Sequence, residues 1–144
     1  MKWLLSQVAQ ATHGRLIGAD VEVTGVSTDT RTVTDGQLFI ALSGERFDAH
    51  EFLDQAVAAG AAALLVSNES KVPAGVSAVV VDDTRLALGH FAAAWRAQFD
   101  LPVIAVTGSN GKTTTKEMIA SILKAAFGAA VLSTRGNLNN DIGL

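Results

Sequence analysis

Apolar positions along this 144-residue chain recur at changing intervals, and each change of interval predicts an element. Trp3, Leu4, Val8 and Ala11 share one face of a short helix over residues 3–11. Gly14 and Gly18 bracket Arg15-Leu16-Ile17, a short strand or turn, and Val21, Val23 and Val26 lead into the polar run Ser27-Thr28-Asp29-Thr30-Arg31. Asp35-Gly36 marks a turn before a buried strand over 37–42, and residues 43–48 read as a loop. Helical spacing returns over 50–59 through Phe52, Leu53, Ala56 and Val57, with Gly60 where a C-cap belongs. Strands follow at 62–66 and 77–81, separated by the turn Pro73-Ala74-Gly75.

Asp82-Asp83 can cap a long helix starting near Thr84, with Leu88, Phe91, Ala92, Trp95 and Phe99 on one stripe. After Asp100-Leu101-Pro102, the all-apolar Val103-Ile104-Ala105-Val106 resembles a strand buried on both faces of a parallel sheet. A helix over 112–127 carries Met118, Ile119, Ile122, Leu123 and Ala126, a further strand begins at 130–132, and the tail over 133–141 is polar. This alternation of strands and helices predicts an α/β fold. The expected boundary lies near Val81-Asp82, giving units 1–82 and 83–144. The second has too few strands for a parallel sheet, so it reads as the start of a larger domain.

Composition narrows the function. Hydrophobic residues make up 49% and charged residues 17%, which excludes long disordered stretches. Eleven Lys+Arg against fourteen Asp+Glu give a net charge of -3. No basic field exists to hold nucleic acid, and no basic amphipathic helix points to a membrane surface. The most apolar stretch, 56–66, contains Gly60 and falls short of the ~20 residues of a spanning helix. The N-terminus lacks the pattern of a secretory signal, and cysteine is absent, so disulfides and thiolate chemistry are excluded. A cytoplasmic protein is expected. His13 and His90 have no partner at metal-ligand spacing and read as surface residues; Trp3, Trp95 and Phe99 read as core.

One segment carries chemistry. Thr107-Gly108-Ser109-Asn110-Gly111-Lys112-Thr113-Thr114-Thr115 lies between the predicted strand at 103–106 and an amphipathic helix, the context that a phosphate-binding loop requires. Glycines let backbone N–H groups curl around phosphate oxygens, and the helix start adds orphan donors and partial positive charge. Gly108, Ser109, Asn110, Gly111, Lys112, Thr113 and Thr114 are therefore expected to hold ATP. Lys112 would reach the β and γ phosphates, and Thr113 would hold Mg²⁺ through its hydroxyl. The spacing departs from the general pattern, because Val106 stands where an earlier glycine is usual.

The segment Val106-Thr107-Gly108-Ser109-Asn110-Gly111-Lys112-Thr113-Thr114-Thr115-Lys116-Glu117-Met118 closely resembles the ATP loop of the Mur ligases, which append amino acids to the bacterial cell-wall precursor. The family's short Gly-x-x-Gly-Lys-Thr form accounts for the unusual spacing. Residues 25–31 and 35–52 resemble its UDP-sugar-binding domain, and Gly136-Asn137-Leu138-Asn139-Asn140-Asp141 is similar to the segment after the first helix of its ATP domain. Ala49 stands where the family usually has Gly. The resemblance thus covers essentially the whole chain. Lys116-Glu117 and the asparagine-rich tail point to the branch that joins D-alanyl-D-alanine to UDP-N-acetylmuramoyl-tripeptide.

The resemblance implies a small UDP-sugar-binding α/β domain over 1–82 and the opening of a P-loop parallel-sheet ATPase domain over 83–144. It implies ATP and Mg²⁺ as cofactors, an acyl-phosphate route to the peptide bond, and a monomer when full length. Lys112 and Thr113 are the catalytic candidates. Ser27, Asp29 and Arg31 are implied as one wall of the substrate pocket, although alone Asp29 and Arg31 read as a surface ion pair. A guanidinium suits a diphosphate because its planar fork can bond two oxygens. Gly44, Arg46 and His50 are implied as the second wall, with Phe47 only packing. Asn137 and Asn140 are implied near the nucleotide; alone they read as a turn. The family's acidic Mg²⁺ ligand, carbamylated lysine, adenine pocket and C-terminal domain find no match in 144 residues, so this chain alone is expected not to ligate. Two alternatives stay open: a sister ligase adding a single amino acid, and a non-catalytic UDP-sugar-binding module.

Overall fold

The computed structural model describes residues 2–44 and 47–134. Its first compact unit, Met1–Gln98, is built on a five-stranded sheet. In chain order its elements are β1 (Trp3–Leu4), α1 (Leu5–Thr12), β2 (Arg15–Ile17), β3 (Glu22–Val23), β4 (Gly25–Ser27), β5 (Gln37–Ile40), β6 (Ser43–Gly44), β7 (Phe47–Asp48), α2 (Leu53–Ala58), β8 (Ala63–Val66), β9 (Ala78–Val80) and α3 (Thr84–Arg96). The sheet order is β2-β9-β8-β5-β4, with β2 antiparallel to β9 and the other pairs parallel.

Side-chain alternation along the central strands divides the core between two faces. Leu38, Ile40, Ala63, Leu65 and Val79 pack with Leu5 and Val8 of α1 and with Ala87 and Phe91 of α3. Phe39, Ala41, Leu64, Val66 and Ala78 pack with Leu53 and Ala56 of α2. All four residues of β8 are buried, as a parallel strand covered on both faces requires. Gly60 adopts φ +104°, and a Cβ there would come within 2.1 Å of Asp35 Oδ1, so the turn after α2 admits no side chain.

Several local expectations shift. Trp3 and Leu4 leave the helix to pair with Val23 and Glu22. Residues 43–48 contain a small hairpin, with Ser43 opposite Asp48 and Gly44 opposite Phe47. The helical stretch from residue 50 opens as a 3-10 turn, Ala49–Phe52, before α2. Asp83 caps α3 by accepting from the N–H groups of Arg85 and Leu86. On α3 the buried stripe is Thr84, Ala87 and Phe91; Ala92 faces solvent, and Phe99 lies beyond the helix and is exposed. Trp3 is half-buried against Phe91, edge to face at 4.9 Å. Packing thus divides the chain between Gln98 and Phe99, whereas the sequence pattern suggested Val81-Asp82. The difference is α3, which joins α1 in covering the first sheet.

The second unit, Phe99–Leu144, contains α4 (Lys112–Phe127) and a 3-10 turn at Gly128–Ala130 among its described residues. Residues 103–106 were expected to form a strand and do not, because no described strand offers them a ladder. Val103 and Ile104 are exposed. Similarly, the strand expected from 130–132 does not form: Ala130 ends the 3-10 turn, and Val131 and Leu132 are irregular. The apolar stripe of α4 is present but open, with only Ala120 buried and Met118 and Ile122 exposed.

Candidate functional site

A cleft of about 530 Å³ opens in the first unit, at the ends of the parallel strands. The segment after β4 contributes Thr28, Asp29, Thr30 and Arg31; β5 contributes Phe39; the hairpin and its following turn contribute Phe47, Ala49 and Phe52; α2 contributes Gln55. This is where ligands of open parallel sheets bind, because strand ends leave loops and unpaired backbone groups there.

Ser27 builds the first wall from below. Its hydroxyl is buried, donates to the Asp29 carbonyl at 3.0 Å and lies 3.0 Å from Thr32 Oγ1. Thr32 N–H closes the turn on the same carbonyl at 3.0 Å. The Asp29 carboxylate accepts from Arg31 Nε at 2.9 Å, from Arg31 Nη2 at 2.5 Å and from the Arg31 backbone N–H at 3.0 Å. These bonds, led by those of the guanidinium, hold the Asp29 carboxyl down at about 2. Sequence reasoning offered the Arg31 fork to a diphosphate. In the structure the Nε–Nη2 side of the fork is engaged by Asp29, which leaves the Nη1 hydrogens and the second Nη2 hydrogen on the outer edge. Arg31 therefore presents an oriented positive edge whose charge is partly offset by its own partner.

The second wall differs more from expectation. Phe47 stacks on Phe52 with ring centroids 5.4 Å apart and planes 12° apart, and it remains 58% exposed. It thus offers an aromatic face to the cleft and does more than pack. Gly44 pairs with Phe47 across the hairpin; Arg46 lies outside the described residues. His50, expected to touch substrate, is instead buried. Its Nδ1 lies 2.6 Å from Asp48 Oδ1, and its Nε2 accepts from the Ser67 N–H at 3.0 Å. Because a backbone N–H can only donate, Nε2 holds a lone pair and Nδ1 carries the proton. Ser43 donates to the same Asp48 oxygen at 2.7 Å. The Ser43 hydroxyl and the His50 backbone N–H keep the Asp48 carboxyl at about 2.

Thr28, Thr30, Phe39, Phe52 and Gln55 also line the cleft and were not singled out from sequence. Phe39 and Phe52 show the periodicity of core positions, which says which face they occupy but not where that face ends. No described helix is long and apolar enough to cross a membrane, and no described group of three or more side chains could hold a metal. His13 and His90 meet ring edge to ring face at 5.3 Å.

The glycine loop of the second unit is built from backbone. Gly108 has φ +150° and Gly111 φ +77°, conformations that side chains resist. Gly111 is the N-cap of α4 and provides no side-chain acceptor, so the first N–H groups of the helix keep no side-chain cap. Lys112 folds back, its Nζ donating to the Gly108 carbonyl at 2.5 Å. Ser109, Asn110, Thr113 and Thr114 are exposed around the helix start. A Cβ placed on Gly111 would meet nothing within 4 Å, so the space beside the loop is open. The described loop fits an anion; Asn137 and Asn140 lie outside the described residues.

Comparison with known proteins agrees with both halves. Residues 22–96 match the Mur ligase family catalytic domain, and residues 106–144 match the Mur ligase middle domain. The chain is 52% identical to the UDP-N-acetylmuramoyl-tripeptide–D-alanyl-D-alanine ligase of Escherichia coli (strain K12), over 97% of this chain and 30% of that protein. A crystal structure of MurF from Acinetobacter baumannii matches 99% of this chain with a TM-score of 0.85 and 45% identity, again over 32% of its own length. The MurF ligase of Thermotoga maritima in complex with ADP matches 72% of this chain and 24% of its own, with a TM-score of 0.64 and 32% identity. The chain spans about a third of the length of the curated relatives it matches.

Proposed function

The chain belongs to the Mur ligase family, and from that premise we propose that it is the UDP-sugar- and nucleotide-gripping portion of a cytoplasmic ligase that joins D-alanyl-D-alanine to UDP-N-acetylmuramoyl-tripeptide. The observation that carries this is agreement over nearly the whole chain with ligases of that name, in sequence and in fold. The first-unit cleft takes the UDP-sugar, with Ser27 holding the turn, Arg31 facing the diphosphate and the Gly44 hairpin as the opposite wall. The α4 loop takes ATP. Its fit rests on the open space at Gly111 and the uncapped helix start.

ATP supplies the γ-phosphoryl that turns the terminal carboxylate of the tripeptide into an acyl phosphate, from which the amine of the dipeptide displaces phosphate. In that reaction the residues of this chain position and neutralise. The loop amides from Gly108 to Thr114 bond the phosphate oxygens, and Lys112 leaves the Gly108 carbonyl to offset charge on the γ-phosphoryl. The Thr113 hydroxyl would hold Mg²⁺. Asn137 and Asn140 border the nucleotide. We place the functional boundary near Val81-Asp82, with α3 structurally attached to the first unit.

Titration calorimetry with UDP-N-acetylmuramoyl-tripeptide and with MgADP tests both sites separately; binding of each is expected, and binding of neither would sink the proposal. The 144 residues alone are expected not to ligate. D-alanyl-D-alanine-dependent phosphate release from this purified chain would refute that part.

A further inference from the structure

The β6–β7 hairpin that forms one wall of the cleft has too little of its own to hold it in place. Its described ladder is two residue pairs, Ser43 with Asp48 and Gly44 with Phe47, and both strands are largely exposed. A two-stranded ribbon of that size is not stable in water by itself. Beside the Phe47–Phe52 stack and the Ala49 N–H bond to the Leu42 carbonyl, what ties it to the sheet is a chain of side-chain bonds running inward. Ser43 Oγ and the His50 backbone N–H both donate to Asp48 Oδ1, at 2.7 and 3.0 Å. His50 Nδ1 meets the same oxygen at 2.6 Å, and His50 Nε2 accepts from the N–H of Ser67, just after β8. Lys71 adds a looser contact, 4.0 Å from Asp48 Oδ2, while also pairing with Glu51.

We propose that His50 is a positioning residue of the cleft: a buried imidazole that clamps the Ser43–Asp48 hairpin to the end of β8 and so sets the aromatic wall at Phe47. It acts through two ends that cannot be exchanged. Nδ1–H serves the carboxylate of the hairpin, and the lone pair on Nε2 serves the sheet. Phe47 and Ala49 line the cleft and flank Asp48 and His50 in sequence. A hairpin released at Asp48 therefore moves the wall itself, while the sheet beneath stays intact.

The two ends can be tested apart, because an Asn amide can reach the place of Nδ1 and a Gln amide the place of Nε2. His50→Asn keeps a donor for Asp48 and loses Ser67; His50→Gln keeps an acceptor for Ser67 and loses Asp48. Hydrogen exchange on the unliganded chain is the first readout. Exchange at the Ala49 and His50 amides is expected to quicken about tenfold in His50→Gln and to stay near wild type in His50→Asn, the effect of losing one bond to a charged group. Amides of β5 and β8 should stay protected in both. Equal exchange in the two variants, or a proton found on Nε2 by nitrogen NMR of the wild-type ring, would overturn the clamp. The second readout rests on the UDP-sugar reading above: affinity for UDP-N-acetylmuramoyl-tripeptide should fall about tenfold in His50→Gln and less than threefold in His50→Asn. Exchange that changes as expected in a chain that binds no UDP-sugar would leave the clamp standing and refute the ligand instead. Equal affinities in a chain that does bind would refute the positioning role.

Discussion

The cleft of the first unit and the glycine loop of the second, the two places we assign to phosphate groups, are built by opposite means. In the cleft, side chains hold one another: Arg31 is bound to Asp29, Ser27 to the turn, and His50 to Asp48 and Ser67. Its charges are paired and oriented before any ligand arrives. The loop instead offers backbone N–H groups at the start of α4, where the N-cap Gly111 has no side chain to cap them. On the nucleotide reading, the bond from Lys112 to the Gly108 carbonyl is given up when phosphate enters. The first arrangement favours shape selectivity, because moving any one group disturbs its partners. The second favours tight capture of charge by any group with the right geometry.

Four measurements would sharpen or break that contrast. The largest effect is expected from Phe39→Ala, which empties both the core and the floor of the cleft: a loss of about 3–5 kcal/mol in urea denaturation of the chain. A loss below about 1 kcal/mol would mean that the cleft is not part of the folded core. Next, Lys112→Ala should weaken MgATP about thirtyfold and leave UDP-sugar binding unchanged, as expected for one charge-assisted contact. An equal loss at both ligands would show that the two sites are not built independently.

Gly111→Ala should weaken MgADP about tenfold, since φ +77° costs an L-residue roughly 1–2 kcal/mol while the added Cβ meets nothing. Unchanged nucleotide affinity would mean that the loop tolerates another backbone path. The smallest effect is expected from acid. Asp48 titrates at about 2 in the folded chain, against an ordinary 3.8. Between those values the unfolded chain binds more protons. The stability Asp48 lends is therefore complete above the ordinary value and lost as pH falls through about 2. Asp48→Asn should flatten the fall in stability across that window; an unchanged slope would show that the hairpin carboxylate is not held as described.

Much of this was legible in the chain. The continuous apolar runs at 37–42 and 62–66, the Asp83 cap and the Gly60 terminator are local signals, and each appears in the structure. The glycine turn before α4 was equally plain, because Gly108 and Gly111 stand directly before the helix start and both take positive φ. Val103–Val106 misled for a physical reason: an apolar run has strand character, but a strand exists only where another backbone completes its hydrogen bonds. That His50 is buried was not legible for a related reason. Its neighbours in space include Ser67, seventeen residues away, and no spacing rule connects them.

The sequence by itself determined the α/β class, the central strands β5 and β8, the glycine turn before α4 and the family, since all depend on residues close together along the chain. Only the tertiary structure decided that α3 belongs with the first sheet, that Phe47 shows its face to the cleft, and that His50 is held from both sides. Those outcomes depend on which distant segments meet, and burial and hydrogen bonding between them are settled when the sheet assembles.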